Sequence, residues 1–196
     1  MAIECCVGIV DDEPGMRLLL SRLLEAEGFA VRCYDCAESM LRDDEELQFG
    51  CIVLDVSLTG MTGLQFLSDL RLRGSDVPIV MVSGQASVSD TIAAFKNKAS
   101  AFFEKPFNNQ ELVQTVRELI TDWSIEKKRC MDLRAKLANL SSREQEVLEA
   151  LVAGKKTRQI ALEMAISAST VEKHRLNIFK KTKVDSVIGL VHLVAE

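Results

Sequence analysis

Five short, almost wholly apolar runs alternate with amphipathic segments over the first 107 residues of this 196-residue chain. Short apolar runs without polar alternation are typical of strands that are buried on both faces of a parallel sheet. The connections between such strands are right-handed, which favours a doubly wound arrangement with helices on both faces. We therefore predict an α/β domain with a five-stranded parallel sheet, whose strands lie at 6–10, 29–34, 51–54, 78–82 and 101–103.

The segment 107–153 contains neither Gly nor Pro and predicts long helical structure. Asn108 followed by Glu111 is a capping-box pattern that begins a helix. We expect the apolar stripe of this helix to face the sheet before residue 121. Beyond that residue we favour a stripe that forms a coiled coil in a dimer over a loosely helical linker. The stripe follows a 4,3 spacing at positions 112, 116, 119, 123, 126, 130, 133, 137 and 140, and only Glu126 is not apolar.

The last third of the chain predicts four short helices. Ser141 and Glu144 form a second capping box, and Gly154 ends the helix that follows. A tight turn near Ala165 separates the second helix from the third. The pattern fits a helix-turn-helix module, with helices at 143–153, 157–164, 169–181 and 186–194.

The net charge of -5 is the sum of two regions of opposite sign. Residues 1–120 hold 10 Lys and Arg against 19 Asp and Glu, giving -9, whereas residues 121–196 hold 14 against 10, giving +4. Within 155–183 the count is 8 against 2, or +6. A basic segment in an acidic chain indicates a separate module that binds a polyanion.

Composition also limits location and cysteine chemistry. No apolar run reaches the roughly 18 to 20 residues of a membrane span, so we expect a cytoplasmic protein without a membrane partner. Thiols in such a chain are usually reduced, and packing in strands explains Cys6, Cys33 and Cys51. A metal or redox site is the less favoured interpretation, because the spacing is unusual for one. That site would need Cys5, Cys6, Cys33 and Cys36.

Polar residues follow the predicted strands where the strands end. Asp11 and Asp12 follow the first run, Asp55 the third, Ser83 the fourth, and Lys105 comes shortly after the fifth. The carboxyl ends of parallel strands meet at one edge of a sheet, so these side chains should lie together. Crowded carboxylates favour a hard divalent cation such as Mg²⁺, and a lysine beside them can bind a phosphate oxygen. This edge is predicted to bind phosphate, with a carboxylate as the nucleophile.

These residues resemble the receiver domain of two-component response regulators. The similarity lies in the motifs around Asp11, Asp55, Gly60, Ser83 and Lys105, covers about the first 120 residues, and implies a flavodoxin-like fold. By resemblance, Asp55 is the phosphoacceptor, and Asp11, Asp12 and Asp55 hold Mg²⁺. Ser83 and Phe102 would be the switch pair, Lys105 would contact the phosphoryl group, and the bond from Lys105 to Pro106 would be cis.

The carboxy-terminal part resembles the LuxR-type output domain. The similarity covers 140–194 and lies in the segments 140–148, 160–161, 166–167 and 170–178. We expect 169–181 to be the recognition helix, with Val171 and Ile178 in the core and His174 structural rather than a ligand. Lys173 and Asn177 are the predicted base contacts, followed by Thr170 and Arg175. The predicted phosphate contacts are Thr157, Arg158 and Lys181.

Together the two halves resemble a FixJ-type transcriptional regulator. The resemblance implies a sensor histidine kinase and double-stranded promoter DNA as partners, a homodimer on activation, and no enzyme activity of its own. One alternative is a phosphorylation-independent DNA-binding dimer whose receiver is only a scaffold. The other is an aspartate-nucleophile phosphatase of the haloacid dehalogenase type, although Ser57 stands where that chemistry needs an acid. The predicted parts are a receiver at 1–120, a helical linker at 121–139, and a DNA-binding domain at 140–196.

Three positions depart from these families. Thr59 stands where Pro is usual after the phosphoacceptor, and we expect it to loosen that loop. Lys98 replaces a common Gly. Ala165 occupies a turn position where Gly is frequent, and a left-handed backbone there would cost about 1 kcal/mol.

Overall fold

The computed structural model describes residues 6–43, 49–85, 87–184 and 186–195. The chain divides into two compact units, a first unit of residues 1–125 and a second unit of residues 126–196.

The first unit contains a five-stranded parallel sheet with the strand order β2-β1-β3-β4-β5. This order confirms the predicted doubly wound, flavodoxin-like fold. The predicted strands are all present, and their ends differ from the prediction by two residues at most. They are β1 Cys6–Val10, β2 Ala30–Tyr34, β3 Phe49–Asp55, β4 Ile79–Ser83 and β5 Ala101–Glu104.

Helices cover both faces of this sheet. Alternate residues of β3 point to opposite faces, so Ile52 and Leu54 belong to one buried cluster and Cys51 and Val53 to another. The two clusters explain why the strands read as continuous apolar runs. The helices are α1 Pro14–Ala26, α2 Ala37–Arg42, α3 Gly63–Leu72, α4 Val88–Lys96 and α5 Asn109–Ala138.

Helix α5 begins where its capping residue predicts. The side-chain oxygen of Asn108 accepts the backbone N–H groups of Gln110 (2.9 Å) and Glu111 (3.3 Å). Leu112 and Val116 are fully buried in the cluster that contains Val53, which confirms that the early stripe faces the sheet. The coiled-coil stripe beyond residue 121 stays a prediction.

The second unit packs four further helices around an apolar core. Ser141 and Glu144 make both bonds of the predicted capping box, and Gly154 follows the helix with a positive φ of 77°. Val171 and Ile178 are fully buried in this core, as predicted. The helices are α6 Ser142–Val152, α7 Thr157–Glu163, α8 Ala168–Thr182 and α9 Val187–Ala195.

Two of the departures from the family pattern lie in left-handed turns. Lys98 has a φ of 61° and Ala165 a φ of 53°. A side chain in this conformation costs about 1 kcal/mol relative to glycine. The predicted cost at Ala165 therefore applies, and Lys98 carries a similar one.

The cysteines of the described residues are free thiols. Cys51 is buried, and burial raises its pKa to about 12. Cys33 is exposed rather than packed, so the prediction for it was wrong: its strand β2 is at the edge of the sheet. Cys5 lies outside the described residues, and among the described ones no cluster of Cys, His, Asp and Glu has the geometry of a metal site.

Across the described ranges, no helix is both long enough and apolar enough to cross a membrane.

Candidate functional site

A lysine joins two carboxylates at the carboxyl edge of the sheet. The Lys105 ammonium donates to Asp55 Oδ2 at 2.5 Å and to Asp11 Oδ2 at 3.0 Å. Asp11 follows β1, Asp55 ends β3, and Lys105 follows β5, so the parallel topology brings together residues 50 and 94 positions apart. The peptide bond from Lys105 to Pro106 is cis, as the family resemblance implied.

Local hydrogen bonds orient each carboxylate. Asp11 Oδ1 accepts the N–H of Glu13, and Asp55 Oδ1 accepts the N–H of Ser57, both at 2.8 Å. The backbone N–H of Lys105 donates to the carbonyl of Ser83 at 2.7 Å, which ties the lysine segment to β4. Each carboxylate therefore turns one oxygen to its own loop and the other to Lys105.

The cluster is buried and carries more negative than positive charge. Asp11 is 1% exposed and Asp55 6%. Burial raises the pKa of Asp11, although the hydrogen bond from Lys105 acts in the opposite direction. Burial also opposes the charged form of Lys105, yet its bonds to Asp55 and Asp11 outweigh burial and raise the pKa of the lysine. Two carboxylates share one ammonium, which leaves a site that attracts a further cation.

Asp12 stands apart from this pair. Its Oδ2 accepts the backbone N–H of Thr59 at 3.3 Å, so the residue expected to loosen the loop also ties it to Asp12. Glu38 holds the same loop by accepting the N–H of Met61 at 3.0 Å. In the described part of the chain no three ligand side chains converge with metal-site geometry. The oxygen donors of Asp11, Asp12 and Asp55 are nevertheless chemically suited to Mg²⁺, which needs few protein ligands.

Ser83 and Phe102 lie on the two neighbouring strands beyond β3. Ser83 ends β4, is fully buried, and accepts the N–H of Gln85 at 3.3 Å. Phe102 is half-buried and packs against the cluster that contains Leu54. Its register partner is Met81, two residues before Ser83. The predicted switch pair thus occupies adjacent strands, and Ser83 follows Val82, the register partner of Asp55.

The residues predicted to contact DNA fall into two groups. Arg158 and Lys173 are exposed and Asn177 is half-buried. Lys173 lies on the solvent side of α8, opposite the buried Val171 and Ile178. These side chains are positioned to meet an external partner.

The other predicted contacts make bonds within the second unit. Lys181 donates to Glu144 Oε2 at 2.6 Å and to the carbonyl of Asn139 at 3.1 Å. Thr170 bonds the side chain of Ser167 at 2.7 Å, at the beginning of α8. Thr157 and Arg175 bond each other at 2.8 Å. The structure therefore gives these four residues an internal role that the sequence did not indicate, and their contacts with DNA stay a prediction.

Lys181 sits on a buried carboxylate. Glu144 is 3% exposed, and its Oε2 also accepts the N–H of Ser141 at 2.8 Å. Burial alone would raise the pKa of Glu144, but the bonds from Lys181 and Ser141 lower it to about 2. The negative charge of Glu144 is therefore matched by the positive charge of Lys181.

Two residues of α8 were missed by sequence reasoning. Glu172 accepts hydrogen bonds from both Thr157 and Arg175. A signal was present, since Glu172 is one of only two acids in the basic segment 155–183. Leu176 is 68% exposed, one helical turn after Glu172. Its apolar side chain gave no such signal.

His174 is half-buried, and its Nδ1 is buried without a hydrogen-bond partner among the described residues. This placement fits the predicted structural role better than a ligand role.

Two family models match the chain. Residues 7–117 match the response regulator receiver domain, and residues 138–194 match the luxR family of bacterial regulatory proteins. The receiver match alone spans more than half of the chain.

Several proteins are similar to this chain over nearly its full length. The response regulator protein TmoT of Ectopseudomonas mendocina is 36% identical over 193 residues, covering 97% of this chain and 88% of TmoT. The transcriptional regulatory protein FixJ of Bradyrhizobium diazoefficiens is 35% identical over 188 residues, covering 94% and 92%. Among solved structures, the response regulator StyR is 34% identical with a TM-score of 0.68, covering 97% of this chain and 98% of StyR. Full-length FixJ from B. japonicum is 34% identical with a TM-score of 0.61, covering 97% and 96%.

Proposed function

The chain belongs to the response regulators that join a receiver domain to a LuxR-type DNA-binding domain, and from this premise we propose that Asp55 is the phosphoacceptor. A sensor histidine kinase supplies the phosphoryl group, and phosphorylation controls how the second unit binds promoter DNA. Because the protein must reach both the kinase and the DNA, we propose that it acts in the cytoplasm. The observation that carries the proposal is the Lys105 ammonium held between Asp11 and Asp55 at the sheet edge.

The geometry supports a phosphoryl transfer to Asp55. An oxygen of Asp55 attacks the phosphorus of a phosphohistidine on the kinase, the P–N bond breaks, and an acyl phosphate forms. Lys105, already in contact with Asp55 Oδ2, offsets the negative charge that gathers on the phosphoryl oxygens. Mg²⁺, held by Asp11, Asp12 and Asp55, would supply further charge neutralisation when bound.

Ser83 and Phe102 are the proposed switch. The Ser83 hydroxyl donates to a phosphoryl oxygen, and Phe102 moves into the space beside β4. One hydrogen bond to a charged group contributes about 1.5 to 3 kcal/mol, whereas moving a population from 1:99 to 99:1 needs about 5.5 kcal/mol. Lys105, the loop at Thr59 and dimer contacts must therefore supply the rest.

The output step is binding of DNA by a homodimer. The exposed Lys173 and the half-buried Asn177 on α8 are the proposed base contacts, and Arg158 a phosphate contact. Thr157, Thr170, Arg175 and Lys181 would need to give up or share internal bonds to touch DNA. Proposed domain limits remain 1–120, 121–139 and 140–196.

Phosphorylation and DNA binding can be tested together. Wild type incubated with Mg²⁺ and a labelled small phosphodonor should gain one stable phosphoryl group and bind promoter DNA more tightly. Asp55→Asn should gain none and keep the weaker affinity. Asp69→Asn, the same change at a half-buried aspartate paired with Arg73, is the matched control and should behave as wild type.

Other outcomes identify the alternatives. Continuous release of phosphate that depends on Asp55 would indicate an aspartate-nucleophile phosphatase. DNA affinity that is the same before and after phosphorylation, and in Asp55→Asn, would indicate a scaffold receiver in a phosphorylation-independent dimer.

A further inference from the structure

Three side chains at the helix-turn-helix form a closed hydrogen-bonded group. Thr157 Oγ1 donates to Glu172 Oε1 at 2.7 Å, and Arg175 Nη1 donates to the same oxygen at 3.0 Å. Arg175 Nη1 also donates to Thr157 Oγ1 at 2.8 Å. Glu172 Oε1 is thereby fixed by a residue of α7 and a residue of α8, while Oε2 has no hydrogen-bond partner within the described ranges.

The charge of Glu172 is unusual for its location. The segment 155–183 holds 8 Lys and Arg and only two acids, Glu163 and Glu172. Each acid pairs with a cation, and the two side chains are almost equally exposed, at 53% and 52%. A carboxylate on a surface that meets DNA phosphates weakens nonspecific binding. Glu163 lies on α7, whereas Glu172 lies on α8, the predicted recognition helix.

The position of Glu172 on α8 suits a contact with the edge of a DNA base. It is the fifth residue of the helix and lies on the exposed side with Lys173 and Leu176. In helix-turn-helix proteins the first residues of the recognition helix contact base edges in the major groove. Arg175, in contrast, is only 26% exposed and already uses its guanidinium within the group.

We propose that Glu172 reads a cytosine in each half-site, with Arg175 and Thr157 as the residues that position its carboxylate. A carboxylate only accepts hydrogen bonds. In the major groove guanine offers two acceptors, thymine an acceptor and a methyl group, and adenine a donor beside an acceptor. Cytosine offers the N4 amino donor alone, so it can donate to Oε2 without repulsion.

This inference rests on the proposed DNA binding and changes two of the predicted contacts. Arg175 and Thr157 become positioning residues, and Glu172 is added beside Lys173 as a residue that contacts the DNA bases. The half-sites should therefore contain a cytosine position whose preference depends on residue 172.

The test is selection of sequences by the full-length chain, phosphorylated with acetyl phosphate and Mg²⁺, from double-stranded DNA with a randomised segment. Wild type should enrich a cytosine at one position of each half-site by about tenfold over other bases. Glu172→Gln keeps an oxygen for Thr157 and Arg175 but replaces Oε2 with an amide donor. That variant should lose the cytosine preference and favour guanine or thymine at the same position.

Two controls separate reading from charge and folding. Glu163→Gln makes the same charge change at the other acid and should leave every base preference as in wild type. Thr157→Val removes one of the two bonds to Glu172 and should weaken the cytosine preference without reversing it. Thermal unfolding and phosphorylation of all variants should match wild type.

The outcomes distinguish this inference from the function on which it rests. Wild type that enriches no sequence would overturn both. Wild type that enriches a sequence, with Glu172→Gln showing the same preferences at every position, would overturn the reading role alone. A uniform change of affinity in Glu172→Gln, equal to that in Glu163→Gln, would also overturn it and indicate charge repulsion only.

Discussion

Both units bury carboxylates against a lysine, and the two clusters differ in their charge balance. In the first unit Asp11 and Asp55 share Lys105, and burial raises the pKa of Asp11. In the second unit Glu144 is the one carboxylate bonded to Lys181 among the described residues, and their hydrogen bond helps to lower the pKa of Glu144 to about 2. The same residue types therefore build one group with excess negative charge and one that is neutral.

We infer that the difference separates the proposed phosphorylation site from a structural ion pair. A buried pair with all its charges and hydrogen bonds matched gains nothing from a further ion. A cluster with an unmatched carboxylate is stabilised by any cation or electrophile that enters it. We expect every perturbation below to act differently on the two clusters.

Removal of Lys105 should have the largest effect, which is on the rate of phosphorylation. Lys105→Met should slow uptake from a labelled small phosphodonor by roughly 100-fold or more, because the charge proposed to stabilise the transition state is lost. Lys181→Met is the matched change in the second unit and should leave the rate as in wild type. Equal rates in Lys105→Met and wild type would show that the lysine only balances charge.

Removal of Lys181 should act on stability instead. Lys181→Met leaves the buried Glu144 without its cation and should destabilise the second unit by about 2 kcal/mol, less than for a fully buried pair because Lys181 is partly exposed. Amide hydrogen exchange in α6 and α8 measures this. Lys173→Met, at an exposed lysine of the same helix, should change exchange little, and equal protection in both variants would contradict the structural role.

The pH dependence of the second unit should follow Glu144. The pKa of Glu144 in the folded protein lies below its ordinary value. The ionised carboxylate therefore stabilises the second unit fully at pH values above the ordinary pKa of a glutamate. This contribution should be lost as the pH falls from about 4.5 towards about 2. An NMR titration of Glu144 checks the value, and Lys181→Met should move it upward. Titration of wild-type Glu144 near 4.5 would contradict the prediction.

The smallest expected effects are opposite in sign. Asp55→Asn removes one of two carboxylates that share Lys105 and should stabilise the first unit by about 1 kcal/mol in metal-free buffer. Glu144→Gln removes the carboxylate that pairs with Lys181 and should destabilise the second unit by about 1 kcal/mol. Denaturant unfolding with unit-specific probes measures both effects. Effects of the same sign would contradict the difference in charge balance between the two clusters.

Much of the fold was predictable because its signals are local. The apolar runs set the five strands, and the capping residues Asn108 and Ser141 set where two helices begin. Convergence of Asp11, Asp55 and Lys105 was also predictable, since parallel strands place their carboxyl ends at one edge. The exposure of Cys33 was not, because a run of residues does not reveal which strand lies at the edge of a sheet.

The roles of the basic residues depended on distant partners. Lys173 and Lys181 look alike in the sequence, and both were predicted to touch DNA. Lys181 bonds Glu144, 37 positions away, whereas Lys173 lies exposed on the same helix. Likewise Glu172 bonds Thr157, 15 positions away. Helical periodicity predicts which side of a helix is exposed, but not which charge from another helix meets it.

The sequence by itself determined the strands, the two domain types and the residue types at the sheet edge, because each depends on apolar periodicity, capping or motif order. Only the tertiary structure decided how the charges are paired. Asp11 and Asp55 share one lysine, Glu144 has its own, and Asp12 accepts from Thr59 instead. Pairing is set by distances of a few ångströms between residues far apart in the chain. Hydrogen-bond energies fall steeply with distance, and Coulomb energies weaken with distance and with screening by water. Which charges pair is therefore determined only in the folded protein.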